Sequence, residues 1–272
     1  MASQSAKQAA PKLRYLSAWF CPYAHRATIA LEHHADLVSY EWVEALGWEQ
    51  RNDKNNVTGT GKEWWYHWKA DELTRSNPSG LVPTLIPLDE EGKPNEEKSV
   101  RTAASLPSDP YLAAKCRYWA DKVNRECCSP YYGVLVRTDE EERMENFNKL
   151  VSGLKAFSRE IEKNGDGKTF LGGDRLSNTD ISLMPWAFRY YIFEHYRGEE
   201  YAIPYDEPEL HAYKEWFDNV FSLESVKRTL PDKDRYLEHI GKYADSSARS
   251  KVANAVRRGV SAHEIEDDKD TY

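Results

Sequence analysis

The sequence of 272 residues is poor in cysteine, has no excess of positive charge and contains no long apolar segment. Its four cysteines are too few for a disulfide scaffold in a chain of this length and indicate a cytoplasmic, reducing environment. Asp and Glu number 45 against 37 Lys and Arg, and the resulting formal charge of −8 argues against nucleic acid as a partner. No apolar run reaches the roughly 18–20 residues of a membrane span, and the first residues lack the apolar core of a secretory signal.

Motifs for metal ions and nucleotides are also missing from the sequence. We find no histidine and cysteine set at zinc spacing and no phosphate-binding or dinucleotide-binding glycine motif. We therefore predict that the protein uses no metal and binds neither nucleic acid nor a membrane.

The pattern of predicted elements changes near residue 100, from alternating strands and helices to helices alone. The first part has predicted strands at 13–19, 38–43 and 81–88 and predicted helices at 22–34 and 62–75. The second part has predicted helices at 111–124, 139–163, 180–196 and 207–222. The polar stretch 92–109 is typical of a boundary. We predict an α/β domain over 1–100 with a leader at 1–12, an all-helical domain over 101–245, and a loose acidic tail over 246–272.

Cys21 carries the most chemistry in the sequence, because it lies between a predicted strand and a predicted helix. Pro22 suits the first helical position. The unpaired N–H groups and the dipole of that helix would favour a thiolate and lower the thiol pKa. Dithiol redox motifs place a second cysteine where this chain has Ala24, so the reaction partner would be an external small-molecule thiol. The alternative is that Cys21 is a small buried apolar residue.

Three separated segments give a specific resemblance. They are FCPYAHR at 20–26, NPSGLVPTL at 77–85 and LSNTDISLMPW at 176–186. In this combination and order the chain resembles a cytosolic glutathione transferase, nearest to the omega-like group that uses cysteine. The resemblance implies a thioredoxin-like domain followed by a helical bundle domain, with glutathione as cosubstrate and a homodimeric assembly. It also implies a small hydrophobic electrophile or a disulfide as the second substrate.

The resemblance also implies functions for individual residues. Cys21 would be catalytic, and Val82 before a cis Pro83 would pair with the cysteinyl part of glutathione. Lys69 would reach its glycine carboxylate. The full predicted glutathione set is Phe20, Cys21, Pro22, Lys69, Val82, Pro83, Glu97 and Ser99. The predicted set for the second substrate is Tyr23, Tyr131, Tyr132, Trp186 and Tyr190, and for all of these except Tyr23 core packing is the alternative.

Two regions depart from the family pattern. Lys98 separates Glu97 from Ser99, and the region before Pro110 is too short for the usual third helix and linker. A non-catalytic binding or regulatory protein on the same fold, with an impaired glutathione site, is therefore the alternative to an enzyme. The enlarged segment 45–68 contains four tryptophans, which could line the cleft, form a dimer contact or pack over the sheet, and we favour packing.

Two reactions fit the resemblance. One is conjugation of glutathione to an electrophile such as an epoxide, and the other is thiol transfer or reduction through Cys21. We expect Ser177 and Asp180 to form a capping box that serves folding rather than chemistry.

Overall fold

The computed structural model describes residues 12–51, 64–95, 106–163 and 168–265. The first part begins with β1 (Lys12–Ser17), α1 (Pro22–His33) and β2 (Ser39–Glu44). It continues with β3 (Leu46–Arg51), β4 (Trp64–Lys69), α2 (Asp71–Ser76) and β5 (Thr84–Pro87). The strand order β2-β1-β5 forms one sheet, in which β1 is parallel to β2 and antiparallel to β5.

The side chain of Tyr15 fixes α1 against β1. Tyr15 is fully buried, and its hydroxyl donates to the carbonyl oxygen of Ala24 at 2.6 Å and lies 2.9 Å from Thr28 Oγ1. Both partners are on α1, so one side chain satisfies polar groups between the two elements. This contact positions the start of α1, where Cys21 lies.

The strands β3 and β4 pair antiparallel, and this pair is called the hairpin below. The predicted helix over 62–75 is therefore wrong in its first half, because Trp64–Lys69 is a strand and only Asp71–Ser76 is helical. Aromatic residues favour strands, and this run is rich in them. Gly47 permits the pairing, because a Cβ atom there would lie 2.5 Å from Nε1 of Trp68.

The second part is helical, as predicted. Its helices are α3 (Pro110–Val123), α4 (Pro130–Val136), α5 (Glu140–Glu162), α6 (Asn178–Ala187), α7 (Tyr191–Arg197), α8 (His211–Ser222), α9 (Glu224–Lys227), α10 (Lys233–Ala244) and α11 (Lys251–Arg257). The predicted helices over 111–124 and 139–163 correspond to α3 and α5. The one over 180–196 is divided into α6 and α7, and the one over 207–222 begins with a 3₁₀ turn before α8. The sequence analysis missed α4, α9, α10 and α11.

The residues after 245 are folded against the hairpin as far as the structure describes them. Trp65 N–H donates to Ser247 O at 3.1 Å, and Arg249 N–H donates to Trp65 O at 2.8 Å. The Arg249 guanidinium also stacks on Trp64, with its Cζ 3.4 Å from the ring centroid. The predicted loose tail over 246–272 is thus wrong for residues 246–265. The predicted boundary near 100 and the acidic residues after 265 lie outside the described residues.

The main hydrophobic core runs through the helical part and reaches the face of the sheet that carries Leu16 and Ile86. A smaller cluster on Leu13, Tyr15, Leu31 and Val38 covers the other side of β1. Because both parts contribute to the main core, burial of apolar surface holds them together. Within the described ranges, no helix is both long and apolar enough to cross a membrane.

Candidate functional site

Cys21 lies at the N-cap of α1, next to a cavity of about 460 Å³. Its backbone is extended (φ −74°, ψ 117°), Pro22 takes the first helical position, and Cys21 O accepts from the His25 N–H at 2.9 Å. The side chain is half-buried and lines the cavity beside Val82 and Pro83. The Val82–Pro83 peptide bond is cis, as the resemblance implied. A groove therefore leads to the sulfur, as a reaction at Cys21 requires.

Burial controls the ionisation of Cys21. It raises the pKa of the thiol, against the opposing effect of backbone N–H groups of Ala24 and Tyr23 and of the cations Arg189 and Arg26. The predicted lowering of the Cys21 pKa by the helix N-terminus is therefore wrong for the protein without a ligand. The helix N–H groups act in the predicted direction, but the loss of hydration is the larger effect.

The residues predicted to bind glutathione meet at one end of this cavity. Phe20, Pro22, Lys69, Val82 and Pro83 all line it, although they come from three separate places in the chain. Glu97 and Ser99, also predicted to bind glutathione, lie outside the described residues.

The loop before Pro83 is held by its own hydrogen bonds. Asn77 Oδ1 accepts from the Ser79 hydroxyl at 2.7 Å, and Asn77 Nδ2 donates to Leu81 O at 3.0 Å. Gly80 has a positive φ of 59°, and a Cβ atom there would lie 2.8 Å from Lys69 Nζ. The absence of a side chain at Gly80 thus lets the ammonium group lie against the loop that carries Val82.

The residues predicted to bind the second substrate divide into two groups. Tyr23 and Tyr132 line the cavity. Tyr131, Trp186 and Tyr190 do not, because they are at most 1% exposed and belong to the core. Tyr131 pairs with the Tyr236 hydroxyl at 2.9 Å, Tyr190 donates to Cys127 O at 3.1 Å, and the Trp186 ring lies against Tyr23. For these three residues core packing, the alternative interpretation, applies.

Several cavity residues were missed by the sequence analysis. They are contributed by the hairpin, α10 and the segment after residue 249, and include Leu46, His67, Tyr236, His239, Ile240, Tyr243, Lys251 and Val252. The spacing of Tyr236, Ile240 and Tyr243 is typical of one helix face and could have predicted α10. The residues of α11 have no comparable signal, and His67 was assigned to a helix.

An aromatic cluster forms the wall of the cavity next to Cys21. His239 stacks on Phe20 with ring centroids 4.0 Å apart, and its Nε2 accepts from Trp48 Nε1 at 3.2 Å. His67 lies against Trp48 with centroids 3.9 Å apart. Burial lowers the pKa of His67 to about 3 and that of His239 well below its ordinary value, so both rings are neutral at neutral pH. The wall is therefore aromatic and uncharged at this point.

No protein-family model matches the chain, but individual proteins and structures do. The chain is 30% identical over 180 residues to glutathione transferase GST 23 of Zea mays, covering 62% of this chain and 76% of that protein. It is 26% identical over 227 residues to glutathione S-transferase U13 of Arabidopsis thaliana, covering 80% of this chain and 90% of that protein.

Solved structures of glutathione transferases share the fold. Glutathione transferase Omega 3C of Trametes versicolor matches with a TM-score of 0.60 and 25% identity, covering 88% of this chain and 93% of that one. The structure of GST1 from rice (OsGSTU1) in complex with glutathione matches with a TM-score of 0.64 and 22% identity, covering 87% and 97%. The predicted fold, a thioredoxin-like domain followed by a helical domain, is confirmed, as is the interpretation as an enzyme. The chain belongs to the glutathione transferase family and is a glutathione transferase.

Proposed function

We propose that this transferase conjugates glutathione to a small hydrophobic electrophile, such as an epoxide or an activated alkene. The observation that carries the proposal is the position of the Cys21 thiol, which faces the cavity beside Val82 with a raised pKa. A neutral S–H group can donate a hydrogen bond to the thiolate of bound glutathione. The negative charge would then reside on the sulfur of glutathione, which attacks the electrophile.

In this reaction the glutathione thiol loses its proton to solvent and its sulfur forms a bond to the electrophilic carbon. With an epoxide, the C–O bond breaks as the C–S bond forms, and the alkoxide oxygen takes up a proton. The chain would hold the two reactants in contact, which is a large part of what such a catalyst can contribute. Tyr23, Tyr132 and the aromatic face of α10 provide an apolar surface for the electrophile.

Glutathione would lie along the backbone of Val82, between Phe20 and Lys69. The backbone N–H and C=O of Val82 suit an extended peptide, because such a ligand pairs with a strand edge. The Lys69 ammonium would bind the glycine carboxylate by a charge-assisted hydrogen bond. Glu97 and Ser99 remain proposed contacts for the γ-glutamyl end.

Replacing Lys69 with methionine tests this placement of glutathione. A hydrogen bond to a charged group is worth about 1.5–3 kcal/mol, so we expect the KM for glutathione to rise at least about tenfold. We expect kcat to change little, because the contact is made equally in the ground state and the transition state. Steady-state kinetics with varied glutathione measures both values.

Lys93→Met is the matched control, because Lys93 is exposed and pairs with Glu91 away from the cavity. Its KM for glutathione should equal that of the unaltered chain. An unchanged KM in Lys69→Met would show that the glycine carboxylate binds elsewhere.

Thiol transfer through Cys21 is the second candidate function, and the chemistry of a cysteine at a helix N-terminus favours it. Two cations, Arg26 and Arg189, act on the Cys21 thiol and favour its thiolate. That thiolate would attack the disulfide between glutathione and another thiol, forming a Cys21–glutathione disulfide and releasing the other thiol. A second glutathione thiolate would then break this disulfide, regenerating Cys21 and releasing oxidised glutathione.

A parallel assay distinguishes the two reactions. The full chain is incubated with glutathione and either an epoxide, an activated aryl halide or a glutathione mixed disulfide, and products are identified by mass spectrometry. We expect catalysed formation of the thioether conjugates. Turnover of the mixed disulfide alone would favour thiol transfer, and no turnover of any of them would contradict both proposals.

We also propose that the protein is a homodimer. The strand β5 is at the edge of the described sheet, and Leu81 before it and Leu85 within it are 43% and 42% exposed. A second copy would cover these leucines. Light scattering should give about twice the 31.5 kDa chain mass, and the mass of a single chain would contradict the proposal.

A cytoplasmic location is likewise proposed. All four cysteines are free thiols in the structure, which suits a reducing compartment. Differential alkylation of the protein in its own cells should find Cys21, Cys116, Cys127 and Cys128 reduced. Stable oxidation of the buried ones would contradict the proposal.

A further inference from the structure

Arg189 is a fully buried cation in the turn between α6 and α7. Its Nη1 donates to Pro185 O at 2.6 Å and lies 3.0 Å from Nδ1 of His25. Its Nε and Nη2 have no hydrogen-bond partner, and within the described part of the chain no carboxylate forms an ion pair with it. A guanidinium is always charged in proteins, so a full positive charge is held here in a low-dielectric interior.

Such an arrangement is costly for folding. A buried charge without a counter-ion loses several kcal/mol of hydration, and two buried N–H groups without acceptors add to that loss. A methionine of similar length would avoid both costs. The position of Arg189 therefore has no explanation in stability and calls for one in function.

The guanidinium lies against a residue that lines the cavity containing Cys21. Its Cζ lies 4.6 Å from the ring centroid of Tyr236, and Tyr236 and Cys21 both line that cavity. Arg189 also acts electrostatically on Cys21, where its charge favours the thiolate. The Arg189 guanidinium thus lies next to the Tyr236 ring, which forms part of the cavity wall.

His25 holds the guanidinium in this orientation. Burial and the charge of Arg189 lower the pKa of His25 well below its ordinary value, so the ring is neutral. Its Nδ1 accepts from Arg189, so the hydrogen is on Nε2, which donates to Thr229 Oγ1 at 2.8 Å. Thr229 in turn donates to Val226 O at 2.7 Å. The His25 backbone N–H donates to Cys21 O, so the same residue contacts both the cation and the cysteine.

We propose that Arg189 is a positioning residue for the sulfur chemistry: its guanidinium, oriented by His25, stabilises a sulfur anion that forms at Cys21. In conjugation the anion is the glutathione sulfur next to Cys21, and in thiol transfer it is the sulfur of Cys21 itself. The inference rests on the proposed role of Cys21. It adds that Arg189 supplies the positive charge that stabilises the sulfur anion.

Other titratable and charged groups also surround Cys21. On α1 they are Tyr23 and Arg26, and from the helical part they are Tyr132, Tyr236, His239 and Lys251. From the strands they are Tyr15, His67 and Lys69. Arg189 differs from Lys69 and Lys251 because it is fully buried, so water does not screen its charge.

The test is the pH dependence of the alkylation of Cys21 by iodoacetamide, in the full chain without glutathione. The thiolate displaces iodide, and peptide mass spectrometry measures the modified fraction of Cys21. For Arg189→Met we expect the apparent pKa of this reaction to rise by about one unit and the rate at pH 7 to fall about tenfold. For Arg189→Lys, which keeps the charge, we expect a rate within about threefold of the unaltered chain.

A purely structural role of Arg189 predicts a different result. Loosened packing would expose Cys21, which would raise its alkylation rate and lower its pKa rather than raise it. Arg197→Met is the matched control, because Arg197 is a half-buried arginine that donates to the carbonyl groups of Val134, Leu135 and Ala244 instead. Its pH profile should coincide with that of the unaltered chain.

Coinciding pH profiles for Arg189→Met and the unaltered chain would overturn the inference, as would equal rates for Arg189→Lys and Arg189→Met. The proposed function is tested by a separate measurement, the formation of glutathione conjugates. If the alkylation profile shifts as expected but no variant forms conjugates, the charge assignment holds and the conjugation reaction is wrong.

Discussion

Replacing Cys21 with alanine is expected to lower kcat/KM for glutathione conjugation by about 100-fold or more. The thiol faces the cavity beside Val82, and alanine would leave the glutathione sulfur without its hydrogen-bond donor. Loss of one donor to a reacting anion typically costs about 10²–10³ in kcat. Steady-state conjugation rates with an epoxide substrate measure the effect.

Cys21→Ser is the matched control for this experiment. A serine hydroxyl donates a hydrogen bond from nearly the same place, so we expect conjugation to stay within about tenfold of the unaltered chain. Thiol transfer should be abolished in both variants, because neither can form a disulfide. Equal conjugation rates for Cys21→Ala and the unaltered chain would contradict the proposed role of the thiol.

Replacing Asp180 with alanine is expected to lower the free energy of unfolding by about 4 kcal/mol. Asp180 is fully buried at the start of α6. Its carboxylate accepts from Phe170 N, Ser177 N, Ser177 Oγ and Trp216 Nε1, all at 2.7–2.8 Å. Alanine would leave these donors without an acceptor inside the core. Urea unfolding monitored by tryptophan fluorescence measures the change.

Asp139→Ala provides the comparison for the Asp180 variant. Asp139 caps α5 by accepting from Glu142 N at 3.0 Å, but it is exposed. Loss of such a cap costs about 1 kcal/mol, because water replaces the missing acceptor. If Asp180→Ala costs no more than Asp139→Ala, the buried network does not stabilise the fold as described.

Short sequence motifs predicted those elements of the fold that depend on neighbouring residues in the chain. The strand, cysteine, proline and helix sequence around Cys21 is found as predicted, and so is the capping box of Ser177 and Asp180. The helices predicted over 111–124 and 139–163 are found, and in the structure Asp109 and Asp139 cap them. The convergence of Cys21, Val82 and Lys69 on one cavity came from the resemblance, not from composition or periodicity.

Positions that depend on packing between distant segments were not predictable. Tyr131 and Tyr132 are neighbours, yet only Tyr132 reaches the cavity, because successive helical residues point about 100° apart. The strand β4 forms where a helix over 62–75 was expected, and it bonds to the segment around Ser247–Arg249, about 180 residues away in the chain. That long-range pairing also explains why the residues after 245 are folded.

The ionisation of Cys21 is a second property that could not be predicted from the sequence. The position of the helix N-terminus, and its tendency to lower the pKa of the thiol, could be inferred from Cys21 and Pro22 alone. The opposing loss of hydration depends on how closely Tyr23, Tyr132 and Tyr236 enclose the sulfur, which no local pattern encodes. The buried charge of Arg189 was likewise invisible, because its burial depends on the packing of α6, α1 and α10.

The most direct test of the account is the ionisation of glutathione bound to the Cys21→Ser variant. Ultraviolet thiolate absorbance is titrated with and without glutathione, so that the difference reports the sulfur of glutathione. The account predicts that the bound thiol titrates near neutral pH in Cys21→Ser, well below the ordinary thiol value of about 8.5, and at a clearly higher pH in Cys21→Ala, where the charge of Arg189 remains but the hydrogen-bond donor is lost. An ordinary value in both variants would contradict the claim that the group at residue 21 stabilises the glutathione thiolate.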